Sequence, residues 1–459
     1  MISLTNIGKQ LTGFIREYSP LTVEEMCPIT LAILCYRFTT YDIAEATAGE
    51  RDDWEQLLMK MDSGNVEPKA WLQTVLLNSA DLYRDREEMF DLYDRVTQVM
   101  YRLPKGEFCT HYVMLIGECS KDYCSIVLRS VLFNYILRTH GSRLLELVPY
   151  EVRRLMSLIV QRTIRGREDL RLYDPFCGVG SLALSVMKHN KGAIRDAVLK
   201  DAATLQTDMA RLNLIVNGLD GFELRNEDFL NDEWVLRERY DVIASMPAWS
   251  LRRRIEPIKR GEFPSRYPEF GELPYDYAVI IRALESLKEN GMMVLAMPIG
   301  VLSQMGIGEE VRQRIIAHRD LRAVIEMPVN LLYSTSVAFA LLVFQHNERR
   351  EDVMMINAKS LFEKQGRLNR MSLVNVGQIV RCYATGREEV GLARRVSYGE
   401  IANHLYNLLP SQYVNDRRLE QRALEEKVQK INELTEKMKE LTREHNAYLR
   451  QLGLPELEV

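Results

Sequence analysis

No Cys-x-x-Cys pair occurs among the seven cysteines of this 459-residue chain. An odd number of scattered thiols argues against a disulfide framework and for reduced side chains. Cys109, His111, Cys119 and Cys124 stand near one another in sequence. Their spacings match no common zinc site, so buried free thiols are expected there, and no metal. A general positive field is missing too. Against 60 Lys and Arg stand 64 Asp and Glu, for a formal net charge of −4. Any nucleic-acid contact must therefore come from local basic patches. The first residues lack the basic-then-apolar order of a signal sequence. No apolar run is long enough to span a bilayer. A cytoplasmic location, with no membrane partner, is the expectation.

Gly and Pro are sparse over residues 1–140, which leaves helix as the natural reading. Thr22-Val23-Glu24-Glu25 has the form of a capping box, and the apolar stretch Ile29 to Phe38 follows it. Trp54–Met61, Trp71–Leu82 and Met89–Met100 carry apolar residues at three- and four-residue spacing. This part holds no catalytic constellation. At ~150 residues per domain, the length predicts two to four units. A helical domain packed on the rest of the chain, or on a partner, accounts for the first of them.

From Leu144 the pattern changes. Pro149 suits a helix start, where its missing N–H is not needed. Leu170-Arg171-Leu172-Tyr173 reads as a strand. Asp174-Pro175-Phe176-Cys177-Gly178-Val179-Gly180-Ser181 turns into a helix beginning near Leu182. A strand, a Gly-x-Gly turn and a helix form a corner that cradles nucleotides in an α/β sheet. Glycine lets the backbone approach a ligand closely, and the helix start aims N–H groups at it. Acids end the next two strands. Asp201 closes Ala197–Asp201, and Asp228 follows the strand near Glu223. Between them lies a helix ending in Asn213-Leu214-Ile215-Val216-Asn217-Gly218. Tyr240–Ala244 is a fourth strand, leading into Ser245-Met246-Pro247-Ala248-Trp249. An amphipathic helix over Asp276–Leu287, closed by Glu289-Asn290-Gly291, precedes a strand over Met292–Pro298. A helix over Gly308–His318 then leads to strands Leu321–Pro328 and Ala338–Gln345.

Asp174-Pro175-x-Cys177-Gly178-x-Gly180-Ser181-Leu182 resembles motif I of amino-methyltransferases that act on DNA adenine. Leu144 to His346 is similar throughout to the modification subunits of type I restriction-modification systems. Tyr406-Asn407-Leu408-Leu409-Pro410-Ser411-Gln412-Tyr413-Val414 resembles another element of those subunits, and Leu34-Cys35-Tyr36-Arg37-Phe38 their early helix. The resemblance implies a doubly wound, Rossmann-like α/β core that binds S-adenosylmethionine and no metal. Carried over, the cofactor-binding positions are Val148, Pro149, Asp174, Pro175, Phe176, Cys177, Gly178, Gly180, Ser181, Asp201 and Asp228. Asp201 would accept from the ribose hydroxyls and Asp228 from the adenine amino group. Val148 stands where the family has a Thr, so one hydroxyl contact is lost.

The family's catalytic Asn-Pro-Pro-aromatic reads Met246-Pro247-Ala248-Trp249 here. An adenine amino group is a poor nucleophile, because its lone pair is delocalised into the ring. The Asn oxygen and a Pro carbonyl accept its two N–H bonds and move the nitrogen toward tetrahedral geometry. Met offers only a weak thioether acceptor. Pro247 is kept, Trp249 is placed to stack on a flipped base, and Ser245 supplies an oxygen if the loop bulges. The next ten residues, Leu251–Arg260, hold Arg252, Arg253, Arg254, Lys259 and Arg260 with one acid, the densest positive run in the chain. At the C-terminal edge of the sheet they are candidates for DNA phosphates. From Arg417 to Leu452 the chain is charged and nearly free of Gly and Pro. Leu424, Val428, Ile431, Met438 and Leu441 form an apolar seam, with Leu434 off its repeat.

The expected organisation is an N-terminal helical domain (1–140), a methyltransferase core (141–347), a small extension (348–415) and a C-terminal long helix or coiled coil (416–459). No large insertion is present to read a DNA target. The resemblance thus implies DNA, a separate specificity subunit and a nuclease subunit as partners in a hetero-oligomer, docked through the two helical ends. Three functions stay open. The chain is a subunit of a restriction-modification or related phage-defence complex with weakened or lost adenine-N6 transfer. Or it is an active adenine-N6 or cytosine-N4 methyltransferase rebuilt around Ser245. Or it methylates RNA, protein or a small molecule.

Overall fold

The computed structural model describes residues 3–46, 53–123, 125–141, 147–219, 221–230, 239–249, 254–255, 272–333, 335–346, 350–366, 368–414, 417–453 and 455. Its first part is helical, as the sparse Gly and Pro predict. Helices α1 (Leu4–Tyr18), α2 (Val23–Ala46), α3 (Asp53–Asp62), α4 (Pro68–Asn78), α5 (Arg86–Met100), α6 (Glu107–Ser120) and α7 (Ile126–His140) enclose one apolar core. The capping box forms: the Thr22 N–H donates to Glu25 Oε2 at 2.9 Å, and the Glu25 N–H donates to Thr22 Oγ1 at 3.2 Å. Ile29, Leu31, Ile33 and Phe38 of α2 are buried. Cys27, Cys35, Cys109, Cys119, Cys177 and Cys382 are free and buried, while Cys124 lies outside the described residues.

After α8 (Tyr150–Thr163) the chain alternates between strand and helix. The strands are β1 (Leu170–Asp174), β2 (Ile194–Asp201), β3 (Phe222–Asn226) and β4 (Tyr240–Ser245), with α9 (Ser181–His189) and α10 (Thr204–Val216) between the first three. Two short strands, β5 (Arg254–Ile255) and β6 (Leu273–Pro274), pair antiparallel. Then come α11 (Tyr275–Glu285), β7 (Leu287–Pro298), α12 (Ile307–His318), β8 (Leu321–Glu326) and β9 (Phe339–Gln345). The stretch expected as an extension adds β10 (Asp352–Asn357), the hairpin β11 (Glu363–Gln365) and β12 (Leu368–Arg370), α13 (Leu373–Thr385), β13 (Ala393–Ser397), α14 (Tyr398–Asn403) and α15 (Pro410–Tyr413). The large sheet runs β13-β10-β8-β9-β7-β4-β1-β2-β3, so residues 352–397 contribute two strands to it. All its neighbours are parallel except β9, which is antiparallel to β7 and β8, and the edge strand β13.

Period-two alternation sends the strand residues to two cores. Val242, Ala244, Met292, Val294 and Ala296 face α8, α9 and α13. Ile243, Met293, Leu295 and Met297 face α11 and α12. Helices on both faces make the sheet doubly wound. The helix α11 stops at Glu285, not at Asn290-Gly291, and nearly all of it is buried rather than amphipathic. Ser286 ends it, its hydroxyl donating back to the Arg282 carbonyl at 2.9 Å. The following strand begins at Leu287, five residues earlier than its apolar run predicts.

The first seven helices are docked on the sheet domain through α10. Met209, Leu212 and Val216 of α10 sit in the helical core, while Ala210 and Leu214 face the sheet. Arg95 of α5 donates twice to Asp208, at 2.9 and 2.6 Å, and Arg211 donates to Asp85 at 2.8 Å. Among the described residues no helix is long and apolar enough to cross a membrane. The last helix, α16 (Arg417–Gln451), is continuous over 35 residues. Val428, Ile431, Leu434, Met438 and Leu441 on it are each 49% to 61% exposed. Their spacings of three and four residues put Leu434 on the seam's own face after all.

Candidate functional site

The turn between β1 and α9 has a backbone that only glycine adopts readily at two places. Gly178 has φ +52° and Gly180 φ +71°. A Cβ on Gly180 would also come within 3.3 Å of the Ala210 Cβ. Three further contacts hold the turn. The Cys177 N–H donates to the Lys200 carbonyl at 2.8 Å, and the Gly180 N–H to the Cys177 carbonyl at 2.8 Å. Asn213 Nδ2 donates to the Val179 carbonyl at 2.9 Å, from a fully buried position on α10. Asn213 is in turn held by Asn217, whose Nδ2 donates to Asn213 Oδ1 at 3.1 Å. Sequence reading placed these two Asn residues at a helix end and missed their work on the turn. The available signal was a pair of amides four residues apart at the end of the helix, among the apolar residues Leu212, Leu214, Ile215 and Val216.

Three acids surround the turn. Asp174 is buried, and its Oδ1 accepts the Ser245 hydroxyl at 2.6 Å and the Phe176 N–H at 3.3 Å. Its Oδ2 is buried with no hydrogen-bond donor. Burial pushes the Asp174 carboxyl up to about 7, although the bonds from Ser245 and Phe176 oppose the shift. Asp201 accepts the Gly178 N–H at 3.0 Å and the Ala203 N–H at 2.9 Å, and burial raises its pKa as well. Half-buried Asp228 accepts the Leu230 N–H at 3.0 Å. Cys177 is enclosed, and burial, with Asp174 and Asp201 nearby, pushes its thiol well above the ordinary range. Phe176 meets Phe229 edge-on, with ring centroids 5.3 Å apart. Pro149 caps α8, with Val148 before it packed on the sheet core.

These residues fit a nucleoside carrying an amino-acid group. The glycine turn leaves room for close approach, and Asp201 and Asp228 retain acceptor lone pairs for hydroxyl and amino donors. The buried oxygen of Asp174 lacks the donor that a cofactor's ammonium would supply.

At the end of β4 and just beyond it lie the four expected catalytic positions. Ser245 is fully buried as the last residue of the strand, in regular parallel register with Leu295. Its hydroxyl hydrogen is committed to Asp174. The strand runs through Ser245 without a bulge. Trp249 is held as well. Its Nε1 donates to the Ala296 carbonyl at 3.0 Å and its ring lies 5.3 Å from that of Phe339. The ring stays half-buried in this position. Met246 is half-buried against the sheet core and Pro247 is buried. Arg252, Arg253, Lys259 and Arg260 lie outside the described residues, and Arg254 opens the short strand paired with Leu273–Pro274.

Comparison with known proteins bears on the whole of this region. The profile of the family described as N-6 DNA Methylase matches residues 143–422. The methylase subunit of the type I restriction enzyme MpnII of Mycoplasma pneumoniae is 27% identical over 308 residues, 62% of this chain and 56% of that protein. The MjaVIII methylase subunit of Methanocaldococcus jannaschii is 22% identical over 340 residues, 69% of this chain and 56% of its own length. The chain thus spans little more than half the length of these curated relatives. Its fold is like that of the type I restriction-modification methyltransferase subunit of Streptococcus thermophilus, with a TM-score of 0.72 at 20% identity. That likeness covers 90% of this chain and 99% of the other.

Proposed function

The chain belongs to the N-6 DNA methylase family, and on that premise we propose that it is the modification subunit of a type I restriction-modification or related phage-defence complex. In this reading it binds S-adenosylmethionine, which supplies the methyl group, and DNA. Its own transfer to adenine is weakened or lost. The observation that carries the reading is the pairing of a cofactor cradle that keeps its glycines and acids with Met246 in the acceptor position. Asp201 accepts from the ribose and Asp228 from the base. Asp174 Oδ2 accepts from the amino group of the cofactor's amino-acid end. The Pro247 carbonyl offers one acceptor to the substrate amino group, and Met246 offers only sulfur. A separate specificity subunit reads the DNA target, a nuclease subunit completes the complex, and the basic run from Arg252 to Arg260 contacts phosphates.

Calorimetry with S-adenosylmethionine and with S-adenosylhomocysteine is expected to give binding. Gly180→Asp puts a side chain and a charge into a backbone that favours glycine, and should abolish it. Asp201→Ala should do the same by removing the ribose acceptor and the two N–H bonds that fix the turn. No heat from the parent protein would remove the cofactor from this reading.

The protonation of Asp174 adds a pH dependence. Its carboxyl titrates near 7 in the folded chain against an ordinary value of 3.8. The raised value means that its stabilising share is complete below about pH 4 and lost as pH rises through 7. A bound ammonium group needs the ionised form, so binding must expel the proton at low pH. Affinity for S-adenosylhomocysteine should therefore rise by up to about tenfold from pH 6 to pH 8. Asp174→Asn should flatten that dependence. An equally steep profile in the variant would assign the titration to another group.

A further inference from the structure

A cleft of about 230 Å³ lies where the helical domain meets the sheet domain. Arg138, Val148, Tyr150, Arg153, Ser181 and Tyr333 are among the residues lining it, and among the described residues no Asp or Glu does. Arg153 sits on α8, one turn past Pro149. Its Nη1 donates to the Ser181 carbonyl at 3.4 Å, and its Nε is buried with no acceptor. Among the described residues no carboxylate lies within ion-pair distance of it. Glu151, the nearest acid in sequence, is engaged instead by Arg370, whose Nη1 lies 3.2 and 3.3 Å from its two oxygens. A guanidinium taken out of water without a counter-ion is costly, and burial lowers its pKa accordingly. The fork of a guanidinium matches a carboxylate bidentately. Ser181 follows directly on Gly180, so the cleft adjoins the far end of the turn that Asp174 begins. Val148, which brings no hydroxyl of its own, lines the same cleft.

We propose that this cleft receives the carboxylate of the methyl donor's amino-acid end, with Arg153 as its partner. The proposal rests on the cofactor reading above. The ligand is then read as a zwitterion, its ammonium at Asp174 and its carboxylate at Arg153, from the two ends of one turn. A nucleic-acid phosphate fits less well, because the cation lies in a small cleft behind Ser181 rather than on a basic surface.

The test compares S-adenosylhomocysteine with 5′-methylthioadenosine, which keeps the nucleoside and thioether but has no amino acid. Affinities are measured calorimetrically on the full chain and on Arg153→Met. The variant should lose roughly 10- to 100-fold for S-adenosylhomocysteine, as for a lost charged hydrogen bond, with its affinity for methylthioadenosine unchanged. Equal weakening of both ligands, or no weakening of either, would overturn the proposal. If Arg153→Met does not fold, Arg153→Lys carries the same comparison, with selective loss supporting the assignment and an equal effect on both ligands refuting it. A parent protein that binds neither ligand would sink the cofactor reading and this one with it. A parent that binds S-adenosylhomocysteine regardless of Arg153 would sink this one alone.

Discussion

Given unmodified DNA, its specificity partner and tritiated S-adenosylmethionine, the parent protein is expected to label adenine at or near background. The physical reason is local. Activating an amino group conjugated with a ring takes two acceptors placed in advance, and Met246 removes one of them. Losing one positioned hydrogen-bond partner of a reacting group typically costs about a hundred- to a thousandfold in rate. The cofactor cradle beside it keeps its glycines and its acids, so the deficit should lie in transfer and not in cofactor affinity. Restoring the family's residues with Met246→Asn and Ala248→Pro should raise the rate by a similar factor. Robust labelling by the parent would refute the weakened-subunit reading outright. If that labelling vanished in Ser245→Ala, the site would have to rearrange from the geometry described, since Ser245 is now buried against Asp174.

The second large effect concerns α16. Deleting everything after Val414 should leave a folded, cofactor-binding core and abolish co-purification with the specificity partner. The cut falls at a defined place. Tyr413 and Val414 are buried in the sheet core, and the Ser411 N–H donates to Glu326 Oε2 at 3.0 Å, so the root of the helix stays anchored. Beyond it, five apolar side chains at helical spacing stay mostly in solvent in the single chain. Covering such a seam with a partner's helix removes that apolar area from water at roughly 25 cal/mol per Å². Assembly that proceeds unchanged without α16 would make it a solvated spacer.

Much of the site was legible because its signals are short-range. Gly178 and Gly180 need their identities for local backbone reasons, and Asp201 and Asp228 sit at strand ends that alternation locates. Misreadings arose where the deciding contact is distant in sequence. Asn290-Gly291 looked like a helix stop. In the structure Asn290 has φ +63°, and a Cβ on Gly291 would lie 2.8 Å from Leu287 Cγ, so the pair sits inside β7, where the register with β4 shifts between Leu287 and Met292. Arg153 carries no signal in its own stretch of sequence. Its burial depends on Ser181 and Tyr333, which no local pattern ties to it. Residues 352–397 read as an appendage because parallel pairing of β10 with β8 leaves no turn signal between them. The partner of Ser245 is likewise remote: its hydroxyl donates to Asp174, 71 positions earlier.

The sharing of α10 between two cores has a consequence for the order in which the protein is made. Helices α1 to α7 leave the ribosome first, but the faces of α2 and α7 that meet α10 have no cover until Val216 has been added. At ~5–20 residues per second, that leaves several seconds during which nascent chains carry an open apolar surface. Chaperones that recognise such surfaces have their opportunity there, before the cradle exists. The same gap means that a fragment ending near His140 should be a poor soluble product, whatever its helical content. Val179, in the middle of the glycine turn, packs into the helical core. Closing the turn thus also adds an apolar side chain to the core of the N-terminal helices.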